Sequence, residues 1–337
     1  MHVKEKILAL IKKKKAVSGV ELAADLGISR QAVNKHLKNL IQNGSVFKEG
    51  ITRGAVYRIA TTGKSSPGKL RKTFILEDLA EDIVFRDISL FLNLPRILSP
   101  GAAEIARYTF TEMLNNAIDH SRSEKCHIEI LIDEFNFQFC IRDYGVGIFY
   151  SVSDKFKLQD ENAAVGEIIK GKTTTMKEKH SGEGIFFSSK AADTMSFRSH
   201  KTRLVFDNLR KDVFIEEKKN INGTEVFFCI NKRTRKKLDS IFSMYAPEEF
   251  DYKFEKTRAM VKLFQPQYIS RSEAKRLLHG LDKFKLIILD FKGVNVMGQG
   301  FADEIFRVFI RNHPDISIET ENLSPALMPI IKHVVDN

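Results

Sequence analysis

The chain has 337 residues, of which 43% are hydrophobic and 29% charged, as in globular, water-soluble proteins. No apolar run reaches the roughly 18 residues that a membrane span needs, and the apolar stretch near the N-terminus is too short for a secretory signal. Residues 1–72 hold 16 Lys and Arg against 4 Asp and Glu, a net charge of +12, whereas the whole chain carries +11. The basic charge is therefore local, and such a surface attracts polyanions, above all nucleic acid.

The length indicates two or three domains, because single hydrophobic cores stop growing at roughly 250–300 residues. Three cysteines, Cys126, Cys140 and Cys229, are scattered without a CxxC spacing, so neither a disulfide set nor a metal site is predicted. Such cysteines are typical of buried apolar positions in a reducing compartment, and we expect a cytoplasmic protein.

The first 60 residues predict helices joined by a short turn that contains glycine. Ser18 and Glu21 have the spacing of a capping box at the start of one helix, and Gly27 follows its end. Ser29 is placed to cap the next helix, after which a strand, a turn with glycine and a second strand are expected. This order predicts a winged helix-turn-helix domain over residues 1–60.

The second helix of this pair carries side chains suited to DNA. Arg, Gln and Asn make bidentate contacts with base edges, whereas Lys contacts phosphates. The segment resembles the winged helix-turn-helix domains of bacterial regulators, which implies DNA binding; the alternative is a protein-docking domain whose basic face only increases solubility. The predicted DNA-binding residues are Arg30, Gln31, Asn34, Lys35 and Lys38 of the helix and Arg53 of the wing.

The segment TEMLNNAIDHS, residues 111–121, predicts a helix with a complete apolar face and an unusual polar face. Its polar positions include Asn and Asp, which are poor helix formers because their side chains compete for the backbone. Glu112 and Asn116 lie one turn apart on the same side. This choice of residues indicates a function beyond helix stability. His120 is interpreted as an ordinary histidine on the helix face.

Further motifs follow in a fixed order along the chain. A DxGxG motif ends a predicted strand, a GxG motif precedes a helical pattern, and a GT pair starts another strand. Each motif alone is weak, but their combination with ExxxNA on a helix is far less common by chance. The motif residues are Glu112, Asn116, Asp143, Gly145, Gly147, Gly182, Gly184 and Thr224.

This ordered set resembles the ATP-binding domain shared by histidine kinases, gyrase-type topoisomerases, chaperones and anti-sigma-factor kinases, the Bergerat or GHKL fold. The resemblance covers roughly residues 105–231 and implies ATP and Mg²⁺ as cofactors. It implies that Asn116 supplies an amide oxygen to Mg²⁺ and that Glu112 polarises the attacking water or nucleophile. Asp143 would accept a hydrogen bond from the adenine amino group.

The same resemblance implies roles for the remaining motif residues. Gly145 and Gly147 would let the backbone pass close to the base. Gly182 and Gly184 would turn the chain so that amides at the next helix meet the phosphates. Thr224 would add a polar contact near the adenine.

Residues 148–181, between the two glycine motifs, correspond to the ATP lid of this family and are predicted to form a long polar segment. Lys172 is expected to reach the phosphates, and the alternative is a solvated loop whose lysines bind nothing. Residues 73–101 are too few for the dimerisation hairpin of histidine kinases, and no histidine lies in an acceptor motif. Autophosphorylation on histidine is therefore not expected.

Residues 245–337 predict alternating strands and helices, a small mixed or parallel sheet covered by helices. The run LIILDFKGVNVMGQGFADEI, residues 286–305, resembles the central strand and loop of STAS domains. Those domains often carry a phosphorylatable Ser in this loop, but residues 297–300 are Met, Gly, Gln and Gly, which argues against a phosphorylation switch. In the following helix, the residues predicted to face outward are Asp303, Glu304, Arg307 and Arg311.

We therefore predict a multi-domain fold. Its parts are an α+β winged helix at 1–60, a linker at 61–72, an α/β sandwich of Bergerat type at 73–235 and a small α/β STAS-like domain at 245–337. The expected function is a regulator in which Mg-ATP binding or hydrolysis modulates DNA binding, while the STAS-like domain docks on the ATP-binding domain, in one chain or a homodimer, or on a protein partner. The alternatives are a serine protein kinase of the anti-sigma-factor type and a nucleic-acid sensor in a defence or stress system.

Overall fold

The computed structural model describes residues 3–42, 46–49, 56–59, 68–158, 160–172, 182–263 and 268–335. By compactness the chain divides into two units. The first comprises residues 1–70 together with 130–138, and the second comprises 71–129 together with 139–337. Among the described residues, no helix is both long enough and apolar enough to cross a membrane.

The first unit contains the helices and the small sheet of the predicted winged helix. In chain order its elements are α1 (Val3–Lys14), β1 (Val17–Ser18), α2 (Gly19–Leu26), α3 (Arg30–Gln42), β2 (Val46–Glu49) and β3 (Val56–Ile59). The strands are ordered β1-β3-β2 with antiparallel pairing. The hairpin β2–β3 is the predicted wing, while the short β1 was not predicted from the sequence.

Local hydrogen bonds set the helix boundaries of this unit. The Ser18 side chain accepts from the N–H of Glu21, and the Glu21 carboxylate accepts from the N–H of Ser18, so the predicted capping box is confirmed. Gly27 follows α2 in the left-handed conformation with φ 63°. Ser29 accepts from the N–H of Ala32 at the start of α3. One apolar core then joins the three helices and the sheet.

The second part of the chain builds a seven-stranded sheet with helices packed on it. Its elements are β4 (Gly68–Ile75), α4 (Glu81–Phe91), α5 (Leu94–Ile97), α6 (Pro100–His120), β5 (Lys125–Ile132), β6 (Asn136–Asp143), α7 (Ile148–Phe156), α8 (Glu161–Lys170), α9 (Gly184–Ala191), β7 (Thr194–Ser199), β8 (Thr202–Asp207), β9 (Asp212–Glu217), β10 (Thr224–Asn231) and α10 (Leu238–Tyr245). The strand order is β4-β5-β6-β10-β7-β8-β9.

Helix α6 packs on this sheet through the apolar face that its sequence predicts. The ring of Phe110 lies 5.4 Å from that of Phe139 on β6, and Phe139 stacks at 4.8 Å on Phe228 of β10. This packing leaves Glu112 and Asn116 half-buried on α6. The sheet and the helix together have the α/β sandwich architecture that the sequence predicts.

The segment 148–181 differs from the predicted long polar segment, because its described residues form α7 and α8. The Asp160 side chain caps α8 by accepting from the N–H of Ala163 at 2.8 Å. Four apolar side chains of α8 are buried: Ala164, Val165, Ile168 and Ile169. These four residues recur at helical spacing, and their packing gives the described residues of this segment a regular structure up to residue 172. Residues 173–181 lie outside the described residues.

The predicted linker, 61–72, overlaps a strand. Its last five residues belong to β4 at the edge of the seven-stranded sheet. Lys69 and Arg71 are exposed on this strand, as is typical of edge strands that carry charges to avoid pairing with other chains. Residues 61–67 lie outside the described part of the chain.

The C-terminal part is a small parallel sheet covered by helices, as predicted. After a 3₁₀ turn (Glu248–Phe250), its elements are β11 (Lys256–Met260), a 3₁₀ turn (Val261–Leu263), α11 (Arg271–Leu278), β12 (Leu286–Asp290), α12 (Gln299–Asp303), a π-helix (Glu304–Phe309), α13 (Ile310–Asn312), β13 (Ser317–Glu321) and α14 (Met328–Val335). The strands are ordered β11-β12-β13 and all pair in parallel.

The outward orientation predicted for two acidic residues of this helix is wrong. Asp303 and Glu304 are buried, and Asp303 is paired with Arg271 of α11 and with Arg307. The π-helix that starts at Glu304 breaks the 3.6-residue period on which the prediction rests. The carboxylates consequently face the neighbouring helix instead of solvent.

The C-terminal sheet and the helix after the GxG motif share one apolar core. Phe186 and Phe187 of α9 pack in the same cluster as Ala259 of β11 and Leu289 of β12. The ring of Phe254 lies 4.6 Å from Phe186. The second unit is therefore compact across the predicted boundary between the two domains, and the residue limits of those domains stay a prediction.

Candidate functional site

Helix α6 holds Glu112 and Asn116 at a fixed spacing. The helix begins with Pro100 after Ser99, whose hydroxyl accepts from the N–H of Ala102 at 3.3 Å. Four residues of helix separate Glu112 from Asn116, or about 6 Å along the axis. The helix therefore presents a carboxylate and an amide side by side.

The GxG motif lies directly against this carboxylate. A Cβ atom on Gly184 would fall 1.9 Å from Oε2 of Glu112, so only glycine leaves room for the side chain there. Gly182, two residues earlier, has a positive φ of 76°. The ExxxNA motif and the GxG motif thus meet where α9 begins beside α6.

Asp143 ends β6 in a buried position, with 5% of its surface exposed. Its Oδ1 accepts hydrogen bonds from the N–H of Gly145 at 3.0 Å and from the N–H of Thr224 at 3.1 Å. Burial raises the pKa of Asp143, although these hydrogen bonds and one from the Thr224 hydroxyl act in the opposite direction. The Thr224 hydroxyl also accepts from the N–H of Ile148 at 2.9 Å, which ties the start of β10 to the DxGxG loop.

Two glycines allow the backbone to close around Asp143. A Cβ on Gly145 would fall 1.7 Å from the carbonyl oxygen of Ser121, the residue that follows α6. Gly223 has φ 75°, and its Cβ would lie 2.3 Å from the carbonyl oxygen of Asp143. Gly223 was not among the predicted site residues, although its place before Thr224 in the GT pair is a signal that identifies it.

His200 is a second residue at this site that was missed. It lies in the β7–β8 turn, and a Cβ on Gly147 would fall 3.3 Å from its Nε2 and 2.3 Å from the Ser199 hydroxyl. Gly147 has φ 85°. No motif in the sequence marks His200, because only the pairing of β7 with β10 brings this turn to the DxGxG loop.

The predicted motif residues therefore form two clusters along the last part of α6. Glu112 contacts Gly184, and Ser121, nine residues further on, contacts the loop that carries Asp143 and Thr224. Within the described residues, no group of three or more His, Cys, Asp or Glu side chains is arranged to hold a metal ion. A cation at this site would need water and phosphate oxygens as further ligands.

Comparisons with known families match three segments of the chain. An HTH domain matches residues 3–64, a histidine kinase-like ATPase domain matches 91–207, and a STAS-like domain of unknown function matches 273–328. The chain combines HTH, histidine kinase-like ATPase and STAS-like domains. No curated protein matched the sequence. Glu112, Asp143 and Gly184 lie within the ATPase match, whereas Thr224 follows its end.

Lys172, predicted to reach phosphates, lies against three residues of the C-terminal part of the chain, two of them within the STAS-like match. Its ammonium donates to the carbonyl oxygen of Lys283 at 2.9 Å and pairs with the carboxylate of Glu255 at 3.2 Å. It also lies 4.8 Å from the ring centroid of Phe284. The structure therefore brings Lys172 to the C-terminal part of the chain, where these three partners lie.

The HTH domain exposes the predicted polar face of α3. Arg30, Gln31, Asn34 and Lys35 are all exposed, while Val33 is fully buried in the domain core. The side chain of Lys38 and the whole of Arg53 lie outside the described part of the chain. One helix thus carries, on a single surface, side chains of the types that contact base edges and phosphates in protein–DNA complexes.

Two cysteines of the ATPase domain, Cys126 and Cys140, are poor nucleophiles. Cys126, Cys140 and Cys229 are free thiols. Burial raises the pKa of Cys126 and of Cys140 to about 12, so that both stay protonated at neutral pH.

Proposed function

We propose that this protein is a nucleotide-controlled DNA-binding regulator. The ATPase domain binds Mg-ATP at the two clusters along α6, and the nucleotide state changes DNA binding by the HTH domain. The observation that carries the proposal is Asp143, a buried carboxylate whose Oδ1 is held by two backbone N–H groups at the end of β6.

Asp143 suits the recognition of adenine. With Oδ1 fixed by Gly145 and Thr224, the second carboxylate oxygen is the acceptor for the exocyclic amino group of the base. The site is desolvated, so this hydrogen bond is stronger than one made in water. Guanine carries a carbonyl oxygen in place of that amino group, and ATP is consequently preferred over GTP.

Glu112 and Asn116 suit the phosphate end of the nucleotide. Asn116 would supply one oxygen ligand to Mg²⁺, which would neutralise phosphate charge when bound. The backbone N–H groups at the start of α9, next to Gly184, would receive the phosphate oxygens. Glu112, in contact with Gly184, would hold and polarise the attacking water.

Replacing Glu112 by Ala is expected to preserve ATP binding and to reduce hydrolysis by about 10²- to 10⁴-fold, the contribution of a general base. Phosphate release and nucleotide affinity are measured on the same variant. Glu104→Ala, an exposed glutamate on α6, is the matched control and should behave as the wild type. Equal turnover in the Glu112 and Glu104 variants would show that Glu112 is not the general base of hydrolysis. Transfer of the γ-phosphate to protein, in place of its release, would instead indicate a protein kinase.

DNA binding by the HTH domain is expected to weaken with salt and to change when Mg-ATP is added. Binding is titrated against salt concentration with and without Mg-ATP. Lys35→Ala should reduce the slope of log K against log salt by about 1, because one phosphate contact is lost. Lys332→Ala, an exposed lysine on α14, should leave the slope unchanged. If Mg-ATP leaves both affinity and slope unaltered, the nucleotide does not control DNA binding.

A further inference from the structure

Helix α8 is held at its C-terminal end by the C-terminal part of the chain. The hydroxyl of Thr257 on β11, which is fully buried, donates to the carbonyl oxygen of Lys170 at 2.5 Å. The ammonium of Lys170 donates to the carbonyl oxygen of His279 at 2.6 Å. Both contacts use the last residue of α8, so the position of this helix depends on the C-terminal sheet and on the loop after α11.

A buried ion pair completes this junction. Nζ of Lys170 lies 2.8 Å from Oε1 of Glu167, and their side chains are only 1% and 7% exposed. Nδ1 of His279 lies 3.2 Å from the same carboxylate oxygen. Burial alone would raise the pKa of Glu167, but Lys170, His279 and Lys283 lower it, so the carboxylate is ionised at neutral pH.

The same helix is linked to both glycine motifs of the ATPase domain through residues that lie beside them. At its start, Oε1 of Glu161 lies 2.6 Å from Nδ1 of His200, the histidine that lies against Gly147. Just after its end, a Cβ on Gly171 would fall 2.9 Å from the ring of Phe186 on α9. This ten-residue helix therefore links the C-terminal domain to the helix of the GxG motif and, through His200, to the DxGxG loop.

We propose that Glu167 and Lys170 are positioning residues for the nucleotide site and that the C-terminal domain sets nucleotide affinity by fixing α8 through them. A well-packed hydrophobic pair often stabilises such a junction about as well as a buried ion pair does. The charged pair, with its directional bonds to His279, instead specifies one position for the helix. This inference rests on the proposed function and adds that the C-terminal domain regulates nucleotide affinity. By linkage, nucleotide binding must in turn tighten the contact of α8 with the C-terminal domain.

Two glycines of the C-terminal domain provide a matched test that leaves the nucleotide site unchanged. Both have left-handed backbones, with φ 70° at Gly280 and 81° at Gly293, so substitution by Ala strains both alike. A Cβ on Gly280 would lie 2.8 Å from Oε2 of Glu167, whereas the nearest atom to one on Gly293 is Cδ of Lys262 at 3.9 Å. Only Gly280→Ala should push the Glu167 carboxylate away from Lys170 and His279 and so loosen the attachment of α8.

The full-length variants are compared by calorimetry with ATP and by hydrogen exchange of the α8 amides without nucleotide. Gly280→Ala should weaken ATP binding at least about fivefold and speed α8 exchange, while Gly293→Ala should leave both at wild-type values. Faster α8 exchange with unchanged ATP affinity, or equal losses of affinity in both variants, would overturn the inference. No ATP binding by the wild type would overturn the proposed function as well. Exchange without nucleotide still reports whether α8 is docked, so the two failures are distinguishable.

Discussion

Asp143→Asn is expected to abolish ATP binding while preserving the fold. The Oδ1 atom of the new side chain can still accept from the N–H groups of Gly145 and Thr224. The second carboxylate oxygen is then replaced by an NH₂ group, which faces the amino group of adenine, so that two donors oppose each other. A hydrogen bond to a charged acceptor contributes about 1.5–3 kcal/mol, and an unpaired buried donor costs about 1–3 kcal/mol more.

These energies together correspond to a loss of affinity of at least about 60-fold, which calorimetry with ATP will detect. Asp207→Asn is the matched control, because Asp207 is also buried at the end of a strand and pairs with Arg210. This control should bind ATP as the wild type does. An unchanged ATP affinity in Asp143→Asn would show that adenine binds elsewhere.

The pH dependence of stability gives an independent check on the same variant. The pKa of Asp143 is raised in the folded state, so the folded chain binds this proton more tightly than the unfolded chain. Wild-type stability therefore decreases as the pH rises from the unfolded pKa, about 3.9, through the folded value. Asp143→Asn lacks this decrease, and its unfolding free energy relative to wild type should rise across that interval.

Lys170→Met is expected to lower the unfolding free energy of the second unit by about 3–5 kcal/mol, because it leaves the buried Glu167 carboxylate without its ammonium partner. The double variant Glu167→Leu, Lys170→Met should recover most of this loss, since no buried charge then remains unpaired. Urea denaturation of the single and double variants measures both quantities and their coupling.

Lys172→Met, two residues away, is the matched control for this effect. The Lys172 side chain is 20% exposed and pairs with the partly exposed Glu255, so its removal should cost about 1 kcal/mol or less. If Lys170→Met cost no more than this control, the Glu167–Lys170 pair would not be buried in solution.

The order of the elements and the local chemistry of the motifs could be predicted from the amino-acid sequence alone. Ser18 with Glu21, Gly27 after α2 and the apolar face of α6 were all predictable, because a cap, a left-handed glycine and a helical period depend on residues within a few positions. The family resemblance rested on equally local patterns, and the HTH, ATPase and STAS-like matches agree with it.

Which motifs are in contact and which charges are buried could not be predicted from the sequence and is seen only in the folded chain. The contact between Glu112 and Gly184, the burial of α8 and the inward position of Asp303 depend on packing between distant segments. Lys170 and His279 are 109 residues apart, and nothing near either one predicts their hydrogen bond. A lysine in a polar sequence usually lies in water, and it is buried only where the fold brings a carboxylate and a carbonyl oxygen to its ammonium group.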